Sequence, residues 1–508
     1  MASKLELELD DGESRLLKLL SQAHREKETV QFVRIEYWGD ESGVTLTQEQ
    51  YDTVFEHVGS LPNTKEIILH YTHEAPPLPA RCLQQLIYNH VDGDTTTSCI
   101  HKDDEEDLDD DATPTFISSA ASEKLDYLSL HRVKVSGTLK EFEELGKALC
   151  SNRSLKRVHL SSCQSILEES TIASNNNRES ATTNYITSDI QDEITENAGM
   201  NIFLQALSHL PSLQSLHLDD IQHLSQTTLT SICHSNNLQS LELWSMGTDI
   251  NKYGASMALA LESNQTSLRE LEISSSLDEA AGNAILNMLQ VNTTLDTLGL
   301  DLNYTSFGPS LAEALTRDHS VINTLHLRFI ADDKLQHTQP PQDQENEEQN
   351  NDNNDNDNDA TITNTGNTTT EEEVLTNAKT IIKALTRNTK LEHLHLNFYH
   401  ISPETVSLAF VDSFEDLLQV NFVLAHLSLR GMHSIVNLRP DLHFSLKLNQ
   451  IGRHRLLLGD KEEEEEHEDG IATAVSRKEW IETILDHKEE LSVVFYLLSA
   501  KPTLCTVK

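Results

Sequence analysis

The phrase L-x-x-L-x-L returns at near-constant spacing along this chain, and no other feature constrains its fold as tightly. Strong copies are Leu125/Leu128/Leu130, Leu155/Val158/Leu160, Leu213/Leu216/Leu218, Leu238/Leu241/Leu243 and Leu268/Leu271/Ile273. The series continues with Leu295/Leu298/Leu300, Ile322/Leu325/Leu327, Leu391/Leu394/Leu396 and Leu424/Leu427/Leu429. Two weaker copies precede them, Val30/Val33/Ile35 and Thr64/Ile67/Leu69. Where nothing intervenes the period is short: 125 to 155 and 238 to 268 are steps of 30 residues, 268 to 295 and 295 to 322 steps of 27.

The terminal L-x-L places two aliphatic side chains on one face of a short strand. The stretch before it reads as a helix, with Leu145, Ala148 and Leu149, or Leu311, Ala314 and Leu315, at i, i+3 and i+4. Alanine at the recurring Ala-Leu step lets helix and strand approach closely. Asn152, Asn264, Asn292 and Asn388 follow these helices, where asparagine can adopt the left-handed conformation that ends a helix. One such unit cannot cover its own apolar flank, so neighbours must stack. The expected fold is therefore α/β: a curved solenoid, or horseshoe, with a parallel sheet on the concave side and helices on the convex side.

Repeats of this length and signature resemble leucine-rich repeats, and the long helices resemble the ribonuclease-inhibitor-like type. The resemblance covers about residues 30–458. The family fills the third position after the last Leu with Asn or Cys; here only Cys163 and Asn303 fit, with Ile221, Met246, Ser276 and Ile330 elsewhere. The continuous asparagine ladder that ties turns together in the family is thus expected to be mostly missing.

The spacing divides the chain into an N-terminal helical cap (1–29), the solenoid (30–458), an acidic linker (459–475) and a C-terminal helical cap (476–508). Insertions interrupt the solenoid near 91–120, 164–198 and 331–372. They include DDEEDLDDD (103–111) and DQENEEQNNDNNDNDND (343–359), and hold too few apolar residues to offset the entropy of ordering. LKLNQIGRHRLL (446–457) reads as a degenerate last strand and a basic turn. In the C-terminal cap, Ser476 and Glu479 form a capping box ahead of the apolar stripe Trp480, Ile481, Ile484 and Leu485. The order of this tail is similar to the end of uncharacterised leucine-rich repeat proteins from unicellular algae.

The formal net charge of −44, from 82 acidic against 38 basic residues, argues against nucleic acid or an anionic membrane and for a basic protein or peptide partner. The six cysteines form no C-x-x-C pair, which fits reduced thiols in the cytoplasm or nucleus. The opening MASKLELELDDGESRLL carries acidic residues where a signal peptide has an apolar run. LSVVFYLLSA (491–500) is far shorter than the ~20 residues of a membrane span. Nothing in the sequence sets the oligomeric state.

Between the buried aliphatics, alternate residues face solvent on the sheet. Those inside the L-x-L step are Ser129, His159, His217, Glu242, Glu272, Gly299, His326, His395 and Ser428; those after it include His131, Asp219, Trp244, Asp301, Arg328 and Arg430. The candidate partner-binding set is His217, Glu242, Trp244, Glu272, Asp301 and Arg328: carboxylates beside an exposed Trp suit a Lys- or Arg-bearing peptide. His393, His395 and His426 fall on neighbouring strands, a pattern open to a transition metal, a pH-responsive patch or plain solvated histidines. No metal or cofactor is assigned to them.

No phosphate-binding G-x-x-x-x-G-K-[ST], H-E-x-x-H, G-x-S-x-G or dinucleotide fingerprint occurs. The expected activity is a non-catalytic interaction scaffold. Two alternatives are a GTPase activator of the leucine-rich repeat type, which this chain resembles in repeat style and in an acidic run near the C-terminus, and an acidic chaperone for histones or other basic proteins.

Overall fold

The computed structural model of the 508-residue chain describes residues 3–8, 21, 30–37, 47–61, 63–72, 75–88, 125–168, 197–246, 249–263, 266–275, 277–302, 307–316, 321–330, 371–399, 401–421, 423–430, 445, 446, 449 and 450. It divides into two compact units, Met1–Ser275 with Asn287–Asp296, and Ser276–Leu286 with Thr297–Lys508. The first contains β1 (Ser3–Glu8), β2 (Val30–Tyr37), α1 (Gln48–Gly59), β3 (Glu66–Tyr71), β4 (Leu78–Pro79), α2 (Ala80–Tyr88), β5 (Tyr127–His131), β6 (Lys134–Gly137) and α3 (Leu139–Ser151). It continues through β7 (Arg157–Ser161), β8 (Gln164–Leu167), α4 (Ala198–Ser208), β9 (Ser215–Asp219), α5 (Gln226–Cys233), β10 (Ser240–Trp244), α6 (Asp249–Glu262) and β11 (Glu270–Ser274). After α7 (Glu279–Leu289) come β12 (Thr297–Leu302), α8 (Phe307–Leu315), β13 (Thr324–Ile330), α9 (Glu371–Leu385), β14 (His393–Tyr399), α10 (Pro403–Val420) and β15 (His426–Arg430), with the strands in the second unit.

The strands that carry the repeat are parallel neighbours in chain order: β1, β2, β3, β5, β7, β9, β10 and β11 in the first unit, β12 to β15 in the second. Their register matches the triplets one to one, as in Val158 opposite Leu216 and Leu160 opposite Leu218, or Leu325 opposite Leu394 and Leu327 opposite Leu396. Every aliphatic of the nine strong triplets is buried except Leu427, which is half-buried on β15. The weak copies behave the same way, with Val33, Ile35, Ile67 and Leu69 fully buried. Ala148, Ala206, Ala260 and Ala314, from the Ala-Leu steps, are buried as well. Successive helices pack on one another, α1 to α6 in order and α8 on α9 on α10. Gly199 on α4 meets Phe142 of α3 so closely that an added Cβ would lie 2.6 Å from the ring.

Local chemistry explains where elements start and stop. Thr138 caps α3 and Thr47 caps α1, each in a reciprocal capping box with Glu141 and Gln50. After β5, β7, β9 and β10 the chain turns through Arg132, Ser162, Asp220 and Ser245, all in the left-handed region at φ 51° to 56°. Each of these amides donates to the last residue of the next strand: Arg132 to Ser161, Ser162 to Asp219, Asp220 to Trp244 and Ser245 to Ser274, at 2.7 to 2.9 Å. The strand-exit turns are thereby stitched repeat to repeat.

The asparagines after the helices work differently from the expectation. Among the described residues none has a positive φ; Asn152 and Asn421 are extended. They close the turn with the side chain instead. Asn388 Oδ1 accepts the amides of Lys390 (2.8 Å) and Leu391 (2.7 Å), while its Nδ2 donates to the Leu315 carbonyl of the preceding repeat (2.7 Å). Asn292 does the same for Thr294, Leu295 and Leu261, and Asn421 for Val423, Leu424 and Leu385. Asn152 accepts from Ser154 and Leu155. Asn421 also donates to Asn388 O, and Asn449 to Asn421 O, so the second unit holds a run of three. An asparagine ladder is therefore present, before the triplet rather than after it. Asn264 and Asn303 lie outside the described residues.

Further corrections concern the ends and insertions. Residues 3–8, expected within a helical cap, form strand β1 paired in parallel with β2. Their alternation, with Leu5 and Leu7 buried and Glu6 exposed, has the period of a strand. Residues 164–167, placed in an insertion, are β8 of a second small sheet in the order β4-β6-β8. Glu371 and Glu372 begin α9 rather than ending an insertion. Residues 445, 446, 449 and 450 are helical where a last strand was expected. The acidic linker, the C-terminal cap and the remainder of all three insertions lie outside the described residues. No described helix is long and apolar enough to cross a membrane.

Asn388→Ala removes three bonds at a buried turn and strands one carbonyl and two amides, so urea denaturation is expected to show a loss of about 2–4 kcal/mol. Asn388→Asp, which keeps the acceptor but turns the donor into a second oxygen facing Leu315 O, is expected to recover little of it.

Candidate functional site

On the face opposite the aliphatic row, the first unit lines up Arg34, Ile68, Ser129, His159, His217, Glu242 and Glu272 across adjacent strands. The parallel row two residues on is Glu36, His70, His131, Ser161, Asp219, Trp244 and Ser274. The pleat brings both rows to one surface. Rings from the two rows form an unbroken line: His70 to His131 (5.7 Å between centroids), His131 to His159 (4.6 Å), His159 to His217 (4.1 Å) and His217 to Trp244 (5.1 Å). The line crosses β3, β5, β7, β9 and β10.

His131 and His217 have polar partners. Ser129, fully buried, places its hydroxyl 2.9 Å from His131 Nε2. His217 Nδ1 lies 2.9 Å from Glu242 Oε2, with the two side chains 20% and 33% exposed. Ser161 donates its hydroxyl to Asp219 at 2.9 Å. Trp244, expected to be exposed, is half-buried beside His217. The neighbouring cations are tied to carboxylates: Arg34 to Glu36, and Arg157 to Glu66 and Asp126.

Crowding holds the middle of the line neutral. Burial, then the rings of His217 and His131, push His159 down to about 4, against smaller upward pulls from Asp219 and Glu242. His131 is lowered as well, first by burial and then by His70. A ring flanked by two others resists becoming a cation next to a possible cation on either side.

The six predicted residues do not gather in one unit. His217, Glu242, Trp244 and Glu272 lie in the first, with Glu242 in register between His217 and Glu272. Asp301 and Arg328 lie in the second, on β12 and β13, where they oppose one another and form an ion pair. Their side chains are only 7% and 14% exposed, so Asp301 is a neutralised, buried carboxylate rather than an accessible one.

The second unit has its own histidines. His393 and His426 stack at 4.6 Å, while His395 meets His326 at 4.5 Å. The three imidazoles considered as a set thus divide into two contacts. Burial lowers both His393 and His395, with His426 the next cause for the former and His393 for the latter. Among the described residues no group of three or more His, Cys, Asp or Glu is placed to hold a metal. Cys82, Cys163 and Cys233 are buried thiols pushed up by desolvation, the latter two to about 12, far from a nucleophile's range.

His70 was absent from the sequence reading of this face. It directly follows Leu69 of a weak triplet, so extending the same positional rule to weak copies finds it.

No family model matches the chain, and no curated protein does. Among solved structures, the leiomodin-1 actin-binding site 2 is similar over 47% of this chain and 95% of that one, at 14% identity and a TM-score of 0.24. A likeness of that size carries no argument about fold or activity.

His159, depressed in the folded chain, binds fewer protons there than when unfolded, so its neutral form supports the fold fully above about pH 6.5 and loses that support as pH falls through about 4. Melting temperature recorded across that window is expected to fall more for the wild-type chain than for His159→Gln. Equal slopes would mean that the ring is not held neutral by its surroundings.

Proposed function

We propose that the chain is a leucine-rich repeat solenoid of the ribonuclease-inhibitor-like type, and that it serves as a non-catalytic scaffold for a basic protein segment bound on the concave sheet face. The supporting fold observation is the parallel ladder of buried triplets with one helix per repeat. The observation that carries the function is the cluster at β9, β10 and β11: Glu242 between His217 and Glu272 in register, with Trp244 and Asp219 in register beside them. A lysine or arginine entering there meets carboxylates and an indole face together, so ionic and cation–π attraction act on one group.

The binding role falls to His217, Glu242, Trp244 and Glu272. Asp301 and Arg328 satisfy each other in the second unit and are left out of it. A soluble, cytoplasmic or nuclear scaffold with no cofactor remains part of this reading, drawn from charge and cysteine usage.

Screening the full chain by fluorescence polarisation against an array of extended octapeptides, bearing one to four lysines or arginines, is expected to find binders. Glu242→Lys with Glu272→Lys is expected to weaken the tightest of them by about tenfold or more. Binding that survives this change, but is lost on deletion of 103–111, 343–359 and 462–469, would favour the acidic-chaperone reading. Accelerated GTP hydrolysis by small GTPases would favour the activator.

A further inference from the structure

The line of rings His70–His131–His159–His217 leads into the carboxylate cluster that the scaffold reading uses, and that juxtaposition has a consequence for when a partner can bind. We propose that the imidazole line is an acid-operated release device: a basic peptide lies along it at neutral pH and is expelled when the line takes up protons. The inference rests on the scaffold reading and specifies both the partner's placement and its regulation.

Geometry gives the placement. The line crosses five adjacent strands, four gaps of about 4.8 Å, or about 19 Å, the span of roughly six extended residues. At the Trp244 end the surface carries Asp219, Glu242 and Glu272 for a basic side chain. Along the remainder it presents imidazole rings in contact, an aromatic floor over which an extended backbone can pass.

Geometry also gives the switch. The charged groups facing the line are Arg34, Glu36 and His70 toward the His131 end, and Asp219 and Glu242 beside His159 and His217, with Asp219 acting on His131 as well. Glu36 is tied to Arg34 and the other carboxylates sit toward the Trp244 end, so a proton added in the middle of the line has an imidazole on either side. His217 has a second effect. Its Nδ1 is 2.9 Å from Glu242 Oε2, so a protonated His217 binds the very carboxylate that a peptide lysine would use. A proton on His217 therefore occupies the anchor and sets like charge beside it, against a basic side chain. His131 and His159, each with a ring on both sides, are held toward the neutral form by burial and by those neighbours.

The test uses the full chain and the tightest octapeptide of the array. Its affinity is expected to fall about tenfold or more between pH 7.5 and pH 5.0, and His131→Gln/His159→Gln/His217→Gln, which keeps polar side chains but cannot titrate, is expected to reduce that drop to about twofold. Calorimetry of the wild-type chain near pH 6, in two buffers of different ionisation enthalpy, is expected to show protons released on peptide binding, as linkage requires. This measurement does not depend on the variant folding. Absence of any binding at pH 7.5 would remove the scaffold reading and this inference together. Binding at pH 7.5 with no proton release, with no loss at pH 5.0, or with the same loss in the triple variant would overturn the inference alone.

Discussion

Each repeat strand of this chain has two aliphatic side chains on one face and too little chain around it to cover them. A lone strand and helix of about 30 residues leaves that flank wet, at a cost of about 25 cal/mol per Å² of apolar surface. Covering it requires the next strand in register, and the requirement propagates. Leu216 covers Val158 and is covered in turn by Leu241. The polar architecture answers a second demand created by the same stacking. Turns between helix and strand are buried by their neighbours, so their amides and carbonyls must find partners inside the protein. The asparagines supply them from a single side chain, accepting twice within their own turn and, at Asn292, Asn388 and Asn421, donating to carbonyls of the repeat before. The strand-exit residues at positive φ do the equivalent work at the other end of the strand.

This division explains what could be read from residues alone. Triplet, helix stripe and Ala-Leu step are patterns of hydrophobicity, and burial follows hydrophobicity closely; the strands and their order were therefore legible. The asparagine role was misread because one residue type has two ways to end a helix, by backbone handedness or by side-chain bonding. The small sheet β4-β6-β8 left no periodic trace, since strands of two to four residues are too short to show one. β1, at six residues, was long enough to show its Leu-Glu alternation, but it lies ahead of the repeat spacing that marked the other strands.

For the candidate site, sequence position determined which residues share a face but not how they pair. Counting from the last leucine placed His217, Glu242, Trp244 and Glu272 correctly on one surface. It could not show that Asp301 would be consumed by Arg328, 27 residues away in the chain and directly opposite in register. Nor could it show that His159 and His131, from different positions of the repeat, would come within 4.6 Å across the pleat. Contacts along a diagonal depend on strand spacing and rotamer as well as on register.

Charge separates attraction from recognition. Half of the formal −44 sits in three runs, 103–111, 343–359 and 461–469. Carboxylates in such runs draw in any basic chain, but at physiological ionic strength their field decays over about 8 Å and distinguishes little among cationic partners. Discrimination has to come from groups at contact distance held in fixed geometry. Here the repeat itself fixes that geometry: strand register places Glu242 against His217, and the buried triplet beneath prevents either from sliding by one residue, since a slip would turn Leu241 and Leu243 outward. The hydrophobic stack that solves the folding problem is thus also what gives the polar surface above it a defined pattern, and a partner that reads the surface is reading the register of the core.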